Sequence, residues 1–136
     1  MREHNEALAA YRLKRARDAL VEAEAMVNIG HPNACVNRLY YACFYAASAL
    51  LISRGLSSSK HSGVRSLFSQ HFVKTGVVPK ELGDVYNELF DKRHVSDYED
   101  FFLVQAETLP DLTDRASQFV DAVSAIIGKP QADQRK

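Results

Sequence analysis

The sequence predicts an all-α protein, an up-and-down bundle of four long helices plus a short extra helix. Apolar residues recur at steps of three and four along most of the chain, and no segment sustains the alternation typical of a strand. Glycine and proline separate these periodic segments with short connections, which favour antiparallel helices as neighbours. We expect a single domain over residues 1–130 and a disordered polar tail over residues 131–136.

The first two helices are predicted over roughly residues 5–29 and 33–54. Gly30 ends the first, His31-Pro32 opens the second, and Gly55 stops it. Helix 2 is apolar on nearly every side, which is typical of a helix in the middle of a bundle. The apolar stripe of helix 1 consists of Ala9, Leu13, Ala16, Leu20, Ala23 and Val27.

Three more helices follow. Ser57, Ser58 and Ser59 form a loop and offer N-caps for helix 3, which is expected to end near Gly76. Pro79 opens helix 4, and a less regular stretch over residues 97–107 leads to helix 5, which ends at Gly128. The apolar positions of the three helices are Val64, Leu67, Phe68 and Phe72, then Leu82, Val85, Tyr86, Leu89 and Phe90, then Leu112, Ala116, Phe119, Val120, Val123 and Ile127.

Composition and charge indicate a cytoplasmic protein without a membrane span. The net charge of the 136 residues is zero, so bulk charge implies no partner. The N-terminus is polar through Glu6, unlike a secretory signal, and the apolar run over residues 39–52 is too short to cross a membrane. Cys35 and Cys43 are eight residues apart on one helix, about 12 Å, so we expect buried thiols in a reducing compartment and no disulfide between them.

Helix 4 carries an arginine on its inward stripe. Continuing the face of Tyr86 and Leu89 by steps of three or four leads to Arg93 and then to Asp97. A buried arginine needs an acidic or hydrogen-bonding partner. An internal Arg93–Asp97 salt bridge and a polar cleft are both consistent with this spacing.

Helix 2 carries a polar and aromatic row. The side chains that recur along one side are Asn37, Tyr41 and Ser48, with Tyr45 close to it. An amide can read a base or a phosphate, and a tyrosine ring can stack on a base. The alternative is a core helix whose hydroxyls reach backbone carbonyls. None of the five histidines has metal-binding spacing, so we expect no metal and no cofactor.

Four segments in order resemble a HEPN domain (higher eukaryotes and prokaryotes nucleotide-binding) of the small stand-alone prokaryotic branch. The likeness covers roughly residues 8–127, and the Tyr-Tyr-Ala-x-Phe string after Asn37-Arg38 is its most specific part. The matching segments are residues 37–47, residues 60–64, residues 72–76, and Arg93 followed by Asp97-Tyr98.

The resemblance implies a homodimer with a polar cleft at its interface. Many members of that family are metal-independent endoribonuclease toxins, and many are encoded beside a minimal nucleotidyltransferase antitoxin. The nuclease members have an arginine followed, four to six residues later, by a histidine. Arg93 matches the arginine, but Asp97 and Tyr98 stand near the place of the histidine. His61 lies on a matching segment and could project toward the cleft.

Three hypotheses follow. In the first, the protein is a nucleotide- or RNA-binding regulator paired with a nucleotidyltransferase, for which Tyr98 is a plausible modification site. In the second, it is a ribonuclease toxin, with Arg93 stabilising the phosphate and Asp97 or His61 handling the proton. In both, nucleotide binding is assigned to Asn37, Arg38, Tyr41 and Tyr45. In the third, the protein is a structural dimer whose Arg93–Asp97 pair only fixes register.

Overall fold

The computed structural model describes residues 2–98 and 105–128, and of residues 2 and 94–98 it describes the backbone alone. A π-helical turn, Ser69–Val73, continues α3, and a 3-10 helical turn, Ala106–Thr108, precedes α5. The predicted all-α fold with four long helices and one short helix is confirmed. The helices are α1 (Arg2–Asn28), α2 (Pro32–Ser53), α3 (His61–Phe68), α4 (Lys80–Tyr98) and α5 (Leu109–Gly128).

Helix α2 lies at the centre of the bundle, as its all-round apolar sequence predicts. It contacts each of the other four helices, and most of its side chains are buried. By length and hydropathy α2 could cross a membrane, but most of it is buried inside the bundle, as in the core helix of a globular domain. Cys35 and Cys43 are buried free thiols, as predicted, and burial raises the pKa of Cys35 to about 11, so it stays protonated. The predicted tail over 131–136 lies outside the described residues.

Helix α1 turns a line of small side chains toward the core. Its fully buried residues are all alanines, namely Ala9, Ala16, Ala19 and Ala23. The expectation for Val27 is wrong, since its side chain is 41% exposed. The buried line advances by three residues in the last turn, so Met26 rather than Val27 packs against the core. Leu13 and Leu20 border this line and are partly buried.

The connection between α2 and α3 sets the start of α3. Gly55 adopts a positive φ of 77°, which lets the chain turn out of α2. The expectation of a serine N-cap is wrong, because Lys60 occupies the cap position and its N–H donates to Ser58 Oγ at 3.2 Å. A Cβ at position 63 would lie 2.1 Å from Ser58 Oγ. Glycine at position 63 therefore lets this loop pack against the first turn of α3, which carries His61.

Helix α4 is longer than its sequence pattern predicts. It continues to Tyr98, through positions where a less regular stretch was expected to begin. Arg93 therefore lies inside the helix, on the face that continues from the buried Tyr86 and Leu89. This placement brings the arginine against the middle of α2.

Candidate functional site

A row of partly exposed side chains on α2 forms one wall of the candidate site. Asn37, Tyr41 and Tyr45 follow at steps of four, so they lie one above the other on the same side of the helix. The rings of Tyr41 and Tyr45 are 5.8 Å apart between centroids. The neighbouring positions Leu39, Ala42 and Cys43 are fully buried, so this row is the edge at which α2 emerges from the core.

Arg38 is fixed above this row by three hydrogen bonds. Its Nε and Nη2 donate to Asn37 Oδ1 at 3.3 and 3.0 Å, and its Nη1 donates to Glu22 Oε1 at 3.0 Å. The guanidinium carbon lies 5.0 Å from the centroid of the Tyr41 ring, in the geometry of a cation–π contact. Because the Asn37 oxygen is occupied by Arg38, the amide nitrogen is the part of Asn37 best suited to a ligand.

Arg93 reaches the same wall from α4. Its guanidinium carbon lies 4.9 Å from the ring centroid of Tyr40 and 5.5 Å from that of Tyr41. Its Nη2 donates to the hydroxyl of Tyr41 at 3.5 Å, the long limit of a hydrogen bond. The arginine therefore rests on aromatic faces, and it is half-buried. The side chain of Asp97, its predicted partner, lies outside the described residues, so the predicted salt bridge stays a prediction.

His61, at the first position of α3, lies against the same rings. Its ring centroid is 4.4 Å from that of Phe44, 5.8 Å from that of Tyr41 and 5.9 Å from that of Tyr40. Burial lowers the pKa of His61 below its usual 6.5, and the positive charge of Arg93 lowers it further. The imidazole is consequently neutral near pH 7, and a neutral imidazole can accept a proton.

Three residues of this site were not identified from the sequence. The ring of Tyr40 contacts the guanidinium of Arg93, and the ring of Phe44 contacts the imidazole of His61. The guanidinium of Arg15 lies 5.3 Å from the centroid of the Tyr45 ring. Burial raises the pKa of the Tyr40 phenol to about 12, so it remains protonated. The two consecutive tyrosines at positions 40 and 41 could have indicated Tyr40 as part of the site, because the rings of two neighbouring residues on a helix can both contact one cation, here Arg93.

A second arginine and histidine pair, Arg65 and His71, is six positions apart in the sequence. His71 is exposed on the π-helical turn, and Arg65 stacks on Phe90. The side chain of Tyr98 lies outside the described residues, so its role stays a prediction. Among residues 2–98 and 105–128, no three histidine, cysteine or acidic side chains converge as they would around a metal ion.

This site, formed by the α2 row with Arg38, Arg93 and His61 and called the cleft below, can therefore bring a cation, a neutral imidazole and several aromatic faces to one ligand, a set that suits a nucleotide phosphate and base. The HEPN domain family matches residues 9–127, which is most of the chain. The chain belongs to the HEPN family. A UPF0332 protein of Thermotoga maritima is 43% identical over 122 residues, covering 90% of this chain and 92% of the relative.

Two relatives from Methanocaldococcus jannaschii carry names that bear on function. The protein named "Putative toxin MJ0142" is 33% identical over 87 residues, or 64% of this chain and 59% of that protein. "Putative toxin MJ0605" is 36% identical over 63 residues, or 46% of this chain and 47% of that protein. The HEPN match fits the all-α bundle described above.

Proposed function

We propose that this HEPN protein is a toxin-type RNA-binding protein that cleaves RNA without a metal ion. The observation that carries the proposal is that Arg93 and His61, which are 32 positions apart in sequence, lie against the same two tyrosine rings. A guanidinium can stabilise the negative charge that develops on a phosphate, and a neutral imidazole can accept a proton. The relatives named as toxins support the same assignment.

The chemistry divides among three side chains. His61 accepts the proton of a ribose 2′-hydroxyl, and the 2′-oxygen attacks the adjacent phosphorus. The bond from phosphorus to the 5′-oxygen breaks, and that oxygen takes a proton from water or from a protonated imidazole. Arg93 binds the non-bridging oxygens as their charge grows. Because Tyr41 accepts a hydrogen bond from Arg93, its own O–H can donate to a phosphate oxygen.

The rest of the α2 row would position the nucleotides. The rings of Tyr41 and Tyr45 offer stacking faces, and Arg38 and Arg15 lie over those rings as cations. Alternating aromatic and basic groups are typical of surfaces that bind single-stranded nucleic acid. Asn37 would donate its amide N–H groups to a base or phosphate.

The assay is incubation of purified protein with mixed RNA in the presence of EDTA. We expect the wild type to cleave RNA, and we expect the cleavage rate to fall by about 100-fold or more in Arg93→Ala and in His61→Ala. The matched controls are Arg17→Ala, whose guanidinium pairs with Asp121 at the surface, and His71→Ala; both should cleave like the wild type. Equal cleavage by Arg93→Ala and wild type would contradict the proposal.

The regulatory hypothesis adds a partner to the same site. We propose a homodimer whose two-fold axis brings two copies of the cleft together, and a nucleotidyltransferase that modifies Tyr98. Tyr98 is five residues beyond Arg93 in α4, about 7.5 Å along the helix axis, so a nucleotide added there would lie near the cleft. Mass spectrometry of Tyr98 after co-expression with the neighbouring gene product tests this, and an unmodified Tyr98 would refute it. Sedimentation of the isolated protein tests the dimer.

A further inference from the structure

A second polar surface lies beside the cleft, between the end of α3 and the middle of α4. It is an open groove of about 460 Å³. Two of its lining residues are basic, four are neutral and polar, and none is acidic. The lining residues are Arg65, Ser66, Ser69, Gln70, Lys74 and Asn87.

Among the residues that the structure describes, the two cations of this groove have no acidic partner. Neither Arg65 nor Lys74 forms an ion pair with a described residue, whereas Lys14, Arg17, Arg38, Lys80 and Arg115 all do. The Arg65 guanidinium lies 4.0 Å from the centroid of the Phe90 ring, and its Nη1 donates to Asn87 Oδ1 at 3.3 Å. Glu88, next to Asn87, is engaged by Arg115 of α5 instead. The groove therefore presents positive charge that the described residues do not neutralise.

The backbone around the groove is also unusual. The π-helical turn over Ser69–Val73 widens the helix where two lining residues, Ser69 and Gln70, project. Such turns are rare and are frequently found at functional sites. The Nε of Arg65 is buried and has no hydrogen-bond partner among the described residues, so stacking on Phe90 and the contact with Asn87 hold the guanidinium in place.

The groove and the cleft are linked beneath the surface by packed rings. The Phe90 ring, on which Arg65 stacks, has its centroid 6.0 Å from that of the Tyr40 ring. Arg93 stacks on the same Tyr40 ring. Asn87 in the groove and Arg93 in the cleft are six residues apart in α4, about 9 Å along the axis and about 120° around it. A strand of about three nucleotides, at a rise of roughly 3.4 Å each, spans the axial part of that separation.

We infer that this groove binds the phosphodiester backbone of the RNA strand about three nucleotides away from the phosphate held at Arg93. This inference rests on the proposed function, because it extends the strand bound in the cleft. Arg65 and Lys74 would each contact phosphate oxygens, and the serine and amide side chains would donate hydrogen bonds. The groove would read no base, so its contribution would be independent of sequence.

The experiment compares a dinucleotide with a ten-nucleotide RNA, both 2′-O-methylated so that neither is cleaved. Binding of each is measured by calorimetry as a function of salt. Lys74→Gln removes one cation of the groove, Ser69→Asp adds a negative charge to it, and Lys14→Gln removes a cation that pairs with Asp18 on α1. Circular dichroism of each variant verifies that the helices are intact.

For the ten-nucleotide RNA, the logarithm of the binding constant falls linearly with the logarithm of the salt concentration. We expect Lys74→Gln to reduce the steepness of this line by about 0.7, equivalent to about fivefold weaker binding at 0.1 M salt. Ser69→Asp should weaken binding of the ten-nucleotide RNA at least as much, and binding of the dinucleotide should be unaffected by either change. The inference is overturned if binding of the two RNAs weakens equally, or if Lys74→Gln has no larger effect on binding than Lys14→Gln. Failure of the proposed function has a different signature, namely that Arg93→Ala binds both RNAs as tightly as the wild type.

Discussion

The two sides of α2 have opposite characters. Toward α1 it meets a helix whose fully buried residues are all alanines, and small side chains allow two helices to approach closely. Toward α3 and α4 it presents large rings, on which Arg93 and His61 rest without becoming fully buried. One helix thus has a packing face, buried against α1, and an open face, whose rings contact Arg93 and His61. The difference indicates that α2 is held to α1 mainly by close packing, with the Arg38–Glu22 pair at its edge, and that its rings leave Arg93 and His61 available to a ligand.

The largest effect on the packing face is expected from enlarging an alanine. Ala16→Leu inserts a bulky side chain at a position with 0% exposure, and overpacking of this kind costs about 1–3 kcal/mol of the free energy of unfolding. Urea denaturation measures this loss. Ala10→Leu, the same change at an exposed position of α1, is the control and should stay within about 0.5 kcal/mol.

The same variant also tests the separation of the two faces. RNA binding per folded molecule should be largely retained in Ala16→Leu, since Arg93 and His61 belong to α4 and α3 and not to α1. If RNA affinity falls together with stability, the two faces of α2 are coupled and the comparison above is wrong.

A smaller effect is expected from removing one hydroxyl on the open face. Tyr41→Phe keeps the ring that Arg93, Arg38 and His61 contact, but it removes the oxygen to which Arg93 donates. In the proposed function the Tyr41 O–H also donates to an RNA phosphate, and one such hydrogen bond contributes about 1 kcal/mol, so we expect about fivefold weaker RNA binding. The bond from Arg93 is long, at 3.5 Å, so the unfolding free energy should be nearly unchanged. Fluorescence anisotropy with labelled RNA measures this, and Tyr11→Phe, at an exposed tyrosine of α1, is the control. A large loss of stability with unchanged affinity would assign Tyr41 to the core instead.

The sequence predicted the packing face more completely than the open face. Periodicity located α1 and its stripe, and it missed only the residues at which the buried line shifts by one position, such as Ala19 and Val27. It also placed Arg93 on the inward face of α4. It did not identify Tyr40 as the support of Arg93, because local spacing can suggest only partners such as Asp97, whereas Tyr40 is 53 positions away in the chain.

The position of His61 shows the same limit. The residue was recognised as one that could project toward the cleft, on a matching segment alone. Its contact with Phe44 depends on how the connection after Gly55 returns the chain to α2, and on the close approach of Ser58 to Gly63. Such tertiary arrangements follow from packing of the whole loop, which periodicity does not describe.

The smallest expected effect is on the ionisation of His61. Its pKa should lie below 6.5 in the folded protein, mainly because of burial and further because of Arg93. The folded state then binds fewer protons than the unfolded chain between that pKa and 6.5, so His61 contributes stability above pH 6.5 that is lost as the pH falls through the folded value. NMR titration of the imidazole measures the pKa directly.

Arg93→Met isolates the electrostatic part of this shift. Removing the guanidinium charge should raise the pKa of His61 toward 6.5 but not to it, because burial remains the larger cause. Cleavage by the wild type should increase with pH and level off below pH 6.5, as expected for a neutral imidazole acting as base. A pKa of His61 that is the same in Arg93→Met and wild type would mean that the two side chains do not act on one ligand, and the open face of α2 would then hold two separate groups.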